Sequence, residues 1–307
     1  MDNPVIVGAG ITGLLTAYLY GGPVTLVDMG KGRTNSHNSL WTVIPNLCGD
    51  LRGECESSMK YYGIMCEKFK VHCSLKAVIR VPPRGGETLD SQEVGKLEPL
   101  LRGHDGELVG EGLFIQGDDF LNALMERIDG KFVRARVVGL LREEGVVSGV
   151  KTDRGRIWGS HVILTLGHDP LNLLGNFGIN VRPLKGHVVE AGKLGMRNIL
   201  MLEDRLGVEG PESALLNGDS QESSDPSVNN SQVERTVQVF KKYLRVTLEV
   251  REVRVGFRAV SPDGRPLLMR PLSNVAIATG FRFGWALAPH LARETLKVLG
   301  LPQRVNL

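Results

Sequence analysis

The first thirty residues constrain this chain more than any other stretch. Pro4 to Val7 is a short apolar run rich in β-branched residues, Gly8, Gly10 and Gly13 follow at G-x-G-x-x-G spacing, and Ile11 to Tyr20 reads as a helix. A second apolar run, Val24 to Val27, delivers Asp28 twenty positions after Gly8. Strand, glycine turn, helix, strand and acid in that order predict a βαβ unit that holds a dinucleotide. Gly8 allows the tight turn, Gly10 lets a pyrophosphate approach the main chain, and Gly13 lets helix and strand pack closely. The helix start at Ile11 and Thr12 offers unpaired N–H groups and a positive dipole end. A free carboxylate at Asp28 accepts hydrogen bonds from ribose hydroxyls and repels a 2′-phosphate, so FAD or NAD is expected rather than NADP, with Met29 beside it.

The chain has 307 residues, enough for two domains or one large interleaved one. Its net charge of +3 comes from interspersed acids and bases without a dense basic block, so no nucleic-acid partner is expected. No run approaches eighteen apolar residues, and the apolar start lacks a basic leader. A cytoplasmic location is therefore expected, with peripheral membrane association left open. Cys48, Cys55, Cys66 and Cys73 cluster without a C-x-x-C pair, so no metal is expected and reduced thiols are the default, with a disulfide between two of them left open.

Beyond Asp28, the polar stretch Gly30 to Asn38 leaves the carboxyl end of the second strand, where a dinucleotide fold keeps its ligand. His37, Asn38 and Ser39 are candidates for lining that site or for capping a helix beside it, and His37 is also a candidate for a covalent flavin link. Residues 54–70 read as helical, 76–81 as a strand, 97–101 as a buried turn, 112–116 as a strand and 118–128 as a helix with an acidic start. Residues 132–165 read as three strands joined by hairpin turns, the last a continuous apolar run that enters Gly167 and belongs in a doubly covered sheet. Val137 and Val138 lie on the first of them and are assigned to the cofactor. Residues 181–191 alternate as a strand on which His187 faces either a substrate cavity or solvent. The Ser- and Asn-rich stretch 217–232 reads as a surface loop or lid, followed by an amphipathic helix over 233–244 and a strand over 246–255. At the end, a strand over 274–279 enters a glycine turn and a long helix, so Gly280, Phe283, Gly284, Trp285 and Ala286 offer a second helix N-terminus to an electron-rich cofactor group.

The ordered set VGAGITG at 7–13 with Asp28, LEPLL at 97–101, ILTLG at 163–167, RPLKGH at 182–187, GFRAVSPDGRP at 256–266 and GFRFGWALAP at 280–289 spans nearly the whole chain. It resembles the D-amino-acid oxidase superfamily of FAD-dependent oxidoreductases. That resemblance implies an α/β (α+β overall) architecture: a Rossmann-like FAD-binding domain from residues 1–75, 130–178 and 255–307, interleaved with a mixed-sheet substrate domain from 76–129 and 179–254. GFRAVSPDGRP is similar to a motif of amine and amino-acid dehydrogenases acting on glycine, sarcosine, proline or D-amino acids. HisAsnSer at 37–39 is instead similar to a motif of glycerol-3-phosphate and 2-hydroxyglutarate dehydrogenases. Ala259 stands where the first group usually has proline, and Arg282 and Phe283 stand where small residues or His are common.

The resemblance implies oxidation of a small amino acid or amine, the Cα–H held against flavin N5 and passed on as hydride. The rivals are a hydroxy-acid or glycerol-3-phosphate dehydrogenase and a non-catalytic or electron-relaying FAD subunit of a larger complex. Arg258 on Gly256-Phe257-Arg258 is the expected carboxylate anchor, because a planar guanidinium meets a carboxylate bidentately. Arg282 is the second candidate, for the substrate or for the flavin pyrimidine oxygens, and His37 completes the catalytic candidates. The electron acceptor, whether oxygen, a quinone or a partner protein, is not written in any local motif.

Overall fold

The computed structural model describes residues 3–30, 34–169 and 171–306. Strands and helices are numbered in chain order, and the strands fall into three sheets. The first has six strands in the order β18 (Leu267–Leu272), β19 (Val275–Thr279), β11 (Val162–Leu164), β1 (Val5–Val7), β2 (Val24–Asp28) and β7 (Gly130–Arg134). All but β18 run parallel. The inner strands β1, β11 and β19 are buried at every residue, as expected of parallel strands covered on both faces. Helices α1 (Ile11–Tyr20) and α6 (Gly284–Leu299) pack together on one face, with α2 (Arg52–Phe69) against α6 and α4 (Gly117–Glu126) against α1.

The opposite face carries the second sheet, an antiparallel ladder of β8 (Val137–Glu143), β9 (Val146–Thr152) and β10 (Gly155–Trp158), whose apolar side joins the cluster around Val7, Val27 and Leu164. The stretch read as three strands therefore holds five. The first prospective strand divides because Ala135 N–H still donates to Asp28 O while Arg136 N–H turns to the Asp153 carboxylate. The last divides at Gly159, between β10 and the central β11.

The third sheet has ten strands: β16 (Gln221–Glu222), β12 (Arg182–Ala191), β15 (Ala214–Asn217), β14 (Arg205–Glu209), β13 (Ile199–Leu202), β4 (Cys73–Val81), β6 (Gly106–Ile115) and β3 (Thr42–Val43) in order, with β17 (Val250–Val260) on β12 and β5 (Glu87–Leu89) on β6. Its pairings are antiparallel except β13 with β4. One face packs on the core shared with α2 and α4, while the other is covered by α5 (Asn230–Leu244) and by α3 (Ser91–Leu97) with the turn that follows it. In that turn Glu98 is fully buried and its carboxylate accepts the N–H groups of Arg197 and Asn198, so this part of LEPLL fastens the entry to β13. Several elements are longer than their sequence signal. The strand read at 246–255 runs on to Val260, and the helix read from 233 begins at Asn230.

Two further expectations are corrected. The four cysteines are paired, Cys48 with Cys55 and Cys66 with Cys73, one bond at each end of α2. Each pair is seven residues apart, a spacing brought into reach by the turn into α2 and by the turn between α2 and β4, which the sequence alone does not reveal. The stretch 217–232 is also no simple surface loop: Asn217 and Asp219 are buried, and the chain pairs again at β16.

Among the described residues no helix is long and apolar enough to cross a membrane, and no cluster of His, Cys, Asp and Glu has the makings of a metal site.

Candidate active site

The nucleotide end is built by the βαβ unit. Gly8 has φ +103°, and a Cβ there would collide with Thr165 O; a Cβ on Gly13 would collide with Gly8 O. Strand and helix thus close to a distance only glycine permits. No side chain caps α1 at Gly10, which leaves the helix start facing an open cavity. Asp28 is already engaged, Oδ2 with Ala9 N–H at 2.9 Å and Oδ1 with Gly30 N–H at 2.8 Å. Each oxygen keeps a further lone pair for a ribose hydroxyl.

The loop after β2 closes over this end. Ser36 is its hub: its hydroxyl accepts Ile11 N–H at 2.9 Å, and its carbonyl accepts both Trp41 Nε1–H at 3.0 Å and Trp285 Nε1–H at 3.1 Å. Trp285 carries the start of α6, and its own carbonyl accepts the buried Tyr62 hydroxyl of α2, so α2 braces the second helix N-terminus. Asn35 is a second tie. Its Oδ1 accepts Phe257 N–H, which leaves Nδ2 to donate to His168 Nδ1, and the His168 ring stacks on Phe257 at 4.7 Å. Burial pushes the His168 imidazole below its ordinary pKa, consistent with a neutral ring that accepts.

A cavity of about 500 Å³ runs from this cleft to the ten-stranded sheet. There β17 presents Arg258. Its Nη2 donates to Asn217 Oδ1 at 2.8 Å and its Nη1 to the Asp219 carbonyl at 3.0 Å, both neutral acceptors. Among the described residues Arg258 makes no ion pair. Burial, with the nearby charge of Arg282 and against the pull of Asp219, lowers its pKa from the ordinary guanidinium value to about 10. Two of its five N–H donors are occupied, so the group is oriented while its charge is offset only by the Coulomb attraction of the nearby Asp219 carboxylate. Arg282 also lines the cavity, exposed, with its guanidinium over the Phe283 ring at 5.7 Å.

The family model DAO, described as FAD dependent oxidoreductase, matches residues 4–297. The chain belongs to the DAO family of FAD-dependent oxidoreductases. Its fold is that of iminodiacetate oxidase from Chelativorans sp. BNC1 (19% identity, TM-score 0.84, covering 99% of this chain and 97% of that one). It is equally that of glycine oxidase from Geobacillus kaustophilus (16%, TM-score 0.86, 99% of each). L-Proline dehydrogenase from P. horikoshii is similar too (17%, TM-score 0.82, 98% and 94%). A comparison of the sequence with curated proteins finds no match.

The DAO-family cofactor is FAD, and the cleft fits it. The start of α1, where only Ile11 N–H is taken by the Ser36 hydroxyl, suits the pyrophosphate, Asp28 the ribose, and Asn38 Oδ1 is a buried acceptor without a partner in the cavity wall. Of the cofactor residues expected from sequence, Gly10, Ile11, Thr12, Asn38, Ser39 and Gly167 line the cavity, and so do Gly256, Gly280, Phe283, Gly284 and Trp285. Gly8, Gly13, Asp28, Met29 and Ala286 stand outside its wall, the two glycines as packing contacts and Asp28 at the end of β2. Val137 is buried beneath the small sheet and Val138 is exposed, both away from the cavity.

His37 is not brought to the cavity wall: Nδ1 lies 2.8 Å from Thr34 Oγ1 and its carbonyl accepts from Arg254. Part of the loop expected beside the cofactor, residues 31–33, lies outside the described residues. Ser36, Asn35 and Asn217 escaped the sequence reading. A serine in the loop after the acidic strand end was the available signal for Ser36, whereas nothing local marks Asn217 as a partner of Arg258.

Proposed function

We propose that the enzyme oxidises a small amino acid or a closely related secondary amine, anchoring the substrate carboxylate on Arg258. One observation carries this reading: a guanidinium set in the cavity wall, held by two neutral oxygens and, among the described residues, in no ion pair. Removing an arginine from water is costly unless an anion completes it, and a carboxylate meets its remaining donors bidentately. Arg282 raises the positive potential of the same cavity from its rim. The segments 1–75, 130–178 and 255–307 form the cofactor half of this arrangement and 76–129 with 179–254 the substrate half. Membership of the six-stranded sheet, drawn wholly from the first set, supports that division.

When bound, FAD supplies the two-electron acceptor for the hydrogen leaving the substrate carbon. The chain's own work is to bind and orient. The start of α1 and Asp28 hold the nucleotide, the start of α6 faces the electron-rich end of the cofactor, and Arg258 fixes the substrate's angle of approach. Asn38 Nδ2 donates to Val255 O and Ser39 Oγ accepts Trp41 N–H, so much of the polar capacity of the 37–39 motif is spent holding the loop. That supports the amino-acid reading over the glycerol-phosphate one.

The test is anaerobic mixing of the FAD-loaded enzyme with glycine, sarcosine, proline, D-alanine, 2-hydroxyglutarate and glycerol 3-phosphate. Bleaching of the flavin band by an amino acid or secondary amine is expected. Bleaching by glycerol 3-phosphate alone, or by none of the six, would reject the reading.

A further inference from the structure

Behind Arg258 lies a buried pair, His187 and Asp219, of which only Asp219 reaches the cavity wall. Strand β12 presents Gly186 and His187 in succession, and successive strand residues point to opposite faces. On one face the Arg258 guanidinium rests on Gly186, where a Cβ would stand 2.5 Å from Nη1. On the other, His187 is 1% exposed and grips Asp219 twice, its N–H to Oδ1 at 2.8 Å and its ring Nδ1 to Oδ2 at 2.6 Å. Nε2 accepts Asn229 N–H at 2.9 Å, so the proton of the neutral ring sits on Nδ1 and donates to Asp219. The expected alternatives for His187, cavity or solvent, are both replaced by this role. Asp219 carries the carbonyl that accepts from Arg258, yet its carboxylate is bonded to His187 and, among the described residues, makes no ion pair with that guanidinium, which feels it only through space.

We infer that His187 is a positioning residue that holds the Asp219 carboxylate off Arg258, keeping the anchor open for the substrate's carboxylate. Asp219 is the nearest competing anion. Bound to His187, it lends Arg258 only its carbonyl. Released, it closes on the guanidinium that already attracts it through space and shuts the anion site from within. This deepens the proposed function and rests on its assignment of Arg258 as the anchor.

The experiment is titration of FAD-loaded protein with sodium acetate, read as perturbation of the flavin absorption band. His187→Leu, which removes the ring's hold on Oδ2 and leaves Oδ1 only the main-chain N–H, lets the carboxylate swing and should weaken acetate by on the order of tenfold, and adding Asp219→Asn should restore affinity to within about threefold of wild type. A purely structural role predicts the opposite, since the double variant would then be no better than the single. His187→Gln keeps one donor and one acceptor and should bind acetate like wild type. If the leucine variant does not fold, His187→Asn, too short to reach both partners, replaces it in the same comparison. An unchanged acetate affinity in the freed variant, or a double variant as weak as it, overturns the inference. Arg258→Met separates the two levels: if it leaves acetate binding intact, the anchor itself is wrong, whereas its loss of binding beside a failed rescue sinks only the role of His187.

Discussion

The two ends of the cavity are assembled in opposite ways. The nucleotide end comes from consecutive residues, in which Gly8, Gly13 and Asp28 sit within one βαβ unit and their contacts are local or to the adjoining strand. The substrate end is assembled from strands distant in sequence: Arg258 of β17 lies on Gly186 of β12 and between Asn217 at the end of β15 and Asp219 just beyond it. Backbone geometry makes the first end, so it tolerates little change of volume. Hydrogen bonds between side chains and loops make the second, so it fails by degrees.

The largest effect should come from filling the first end. Gly13→Val drives a side chain into the Gly8 carbonyl, and the purified protein should carry almost no FAD by absorption spectroscopy; normal FAD content would erase the contrast. Next, Arg258→Met should retain the flavin spectrum while raising the substrate KM on the order of hundredfold to thousandfold, the scale of losing one partner of a charge-assisted pair. Steady-state kinetics with whichever substrate bleaches the flavin would show it.

Smaller effects refine the boundary. Each disulfide closes a short loop, worth about 2–3 kcal/mol by the loop-entropy relation. Because α2 braces Trp285 through Tyr62, reduction should lower the melting temperature and speed FAD loss, while protein that keeps its FAD binds acetate unchanged. Ser36→Ala removes the bond to Ile11 N–H and should cost about 1 kcal/mol of stability in denaturant titration. The smallest effect is one of pH. The Arg258 pKa is lowered by burial to about 10, so its charge is intact below that value and lost above it. Acetate, ionised throughout, should bind evenly up to about pH 10 and then weaken about tenfold per unit in the same titration. A flat profile to pH 11 would show that bound cofactor or solvent relieves the burial of Arg258.

The same contrast explains what was readable beforehand. Gly8, Gly10, Gly13 and Asp28 announce their geometry because each is demanded by a neighbour a few positions away or by backbone conformation, and Arg258 stood out through a motif that resembles a family. Its partners did not. Asn217 and Asp219 lie in a stretch whose Ser, Asn and Asp content signals a loop, and only the antiparallel pairing of β12 with β15 and β17 brings them to the guanidinium. His187 was ambiguous for the same reason, since an alternating strand does not say which face is covered until α5 is placed. The cysteines were misread because spacing along the chain is silent about the reversal between α2 and β4. The division of 132–138 between two sheets was hidden too, since both halves have the same apolar, β-branched character.

The shared carbonyl of Ser36 has an optical consequence. The chain has three tryptophans, and two of them, Trp41 and Trp285, donate to that one oxygen in the cofactor cleft while Trp158 stands 49% exposed on the small sheet. Flavin absorbs where indoles emit, so energy transfer should darken the buried pair first and leave the loaded protein glowing mainly from Trp158, at the longer wavelength of a wetted ring. Release of the cofactor should then restore a bluer emission from the pair. The native chain thus carries its own occupancy gauge, with one lamp for reference and two that switch.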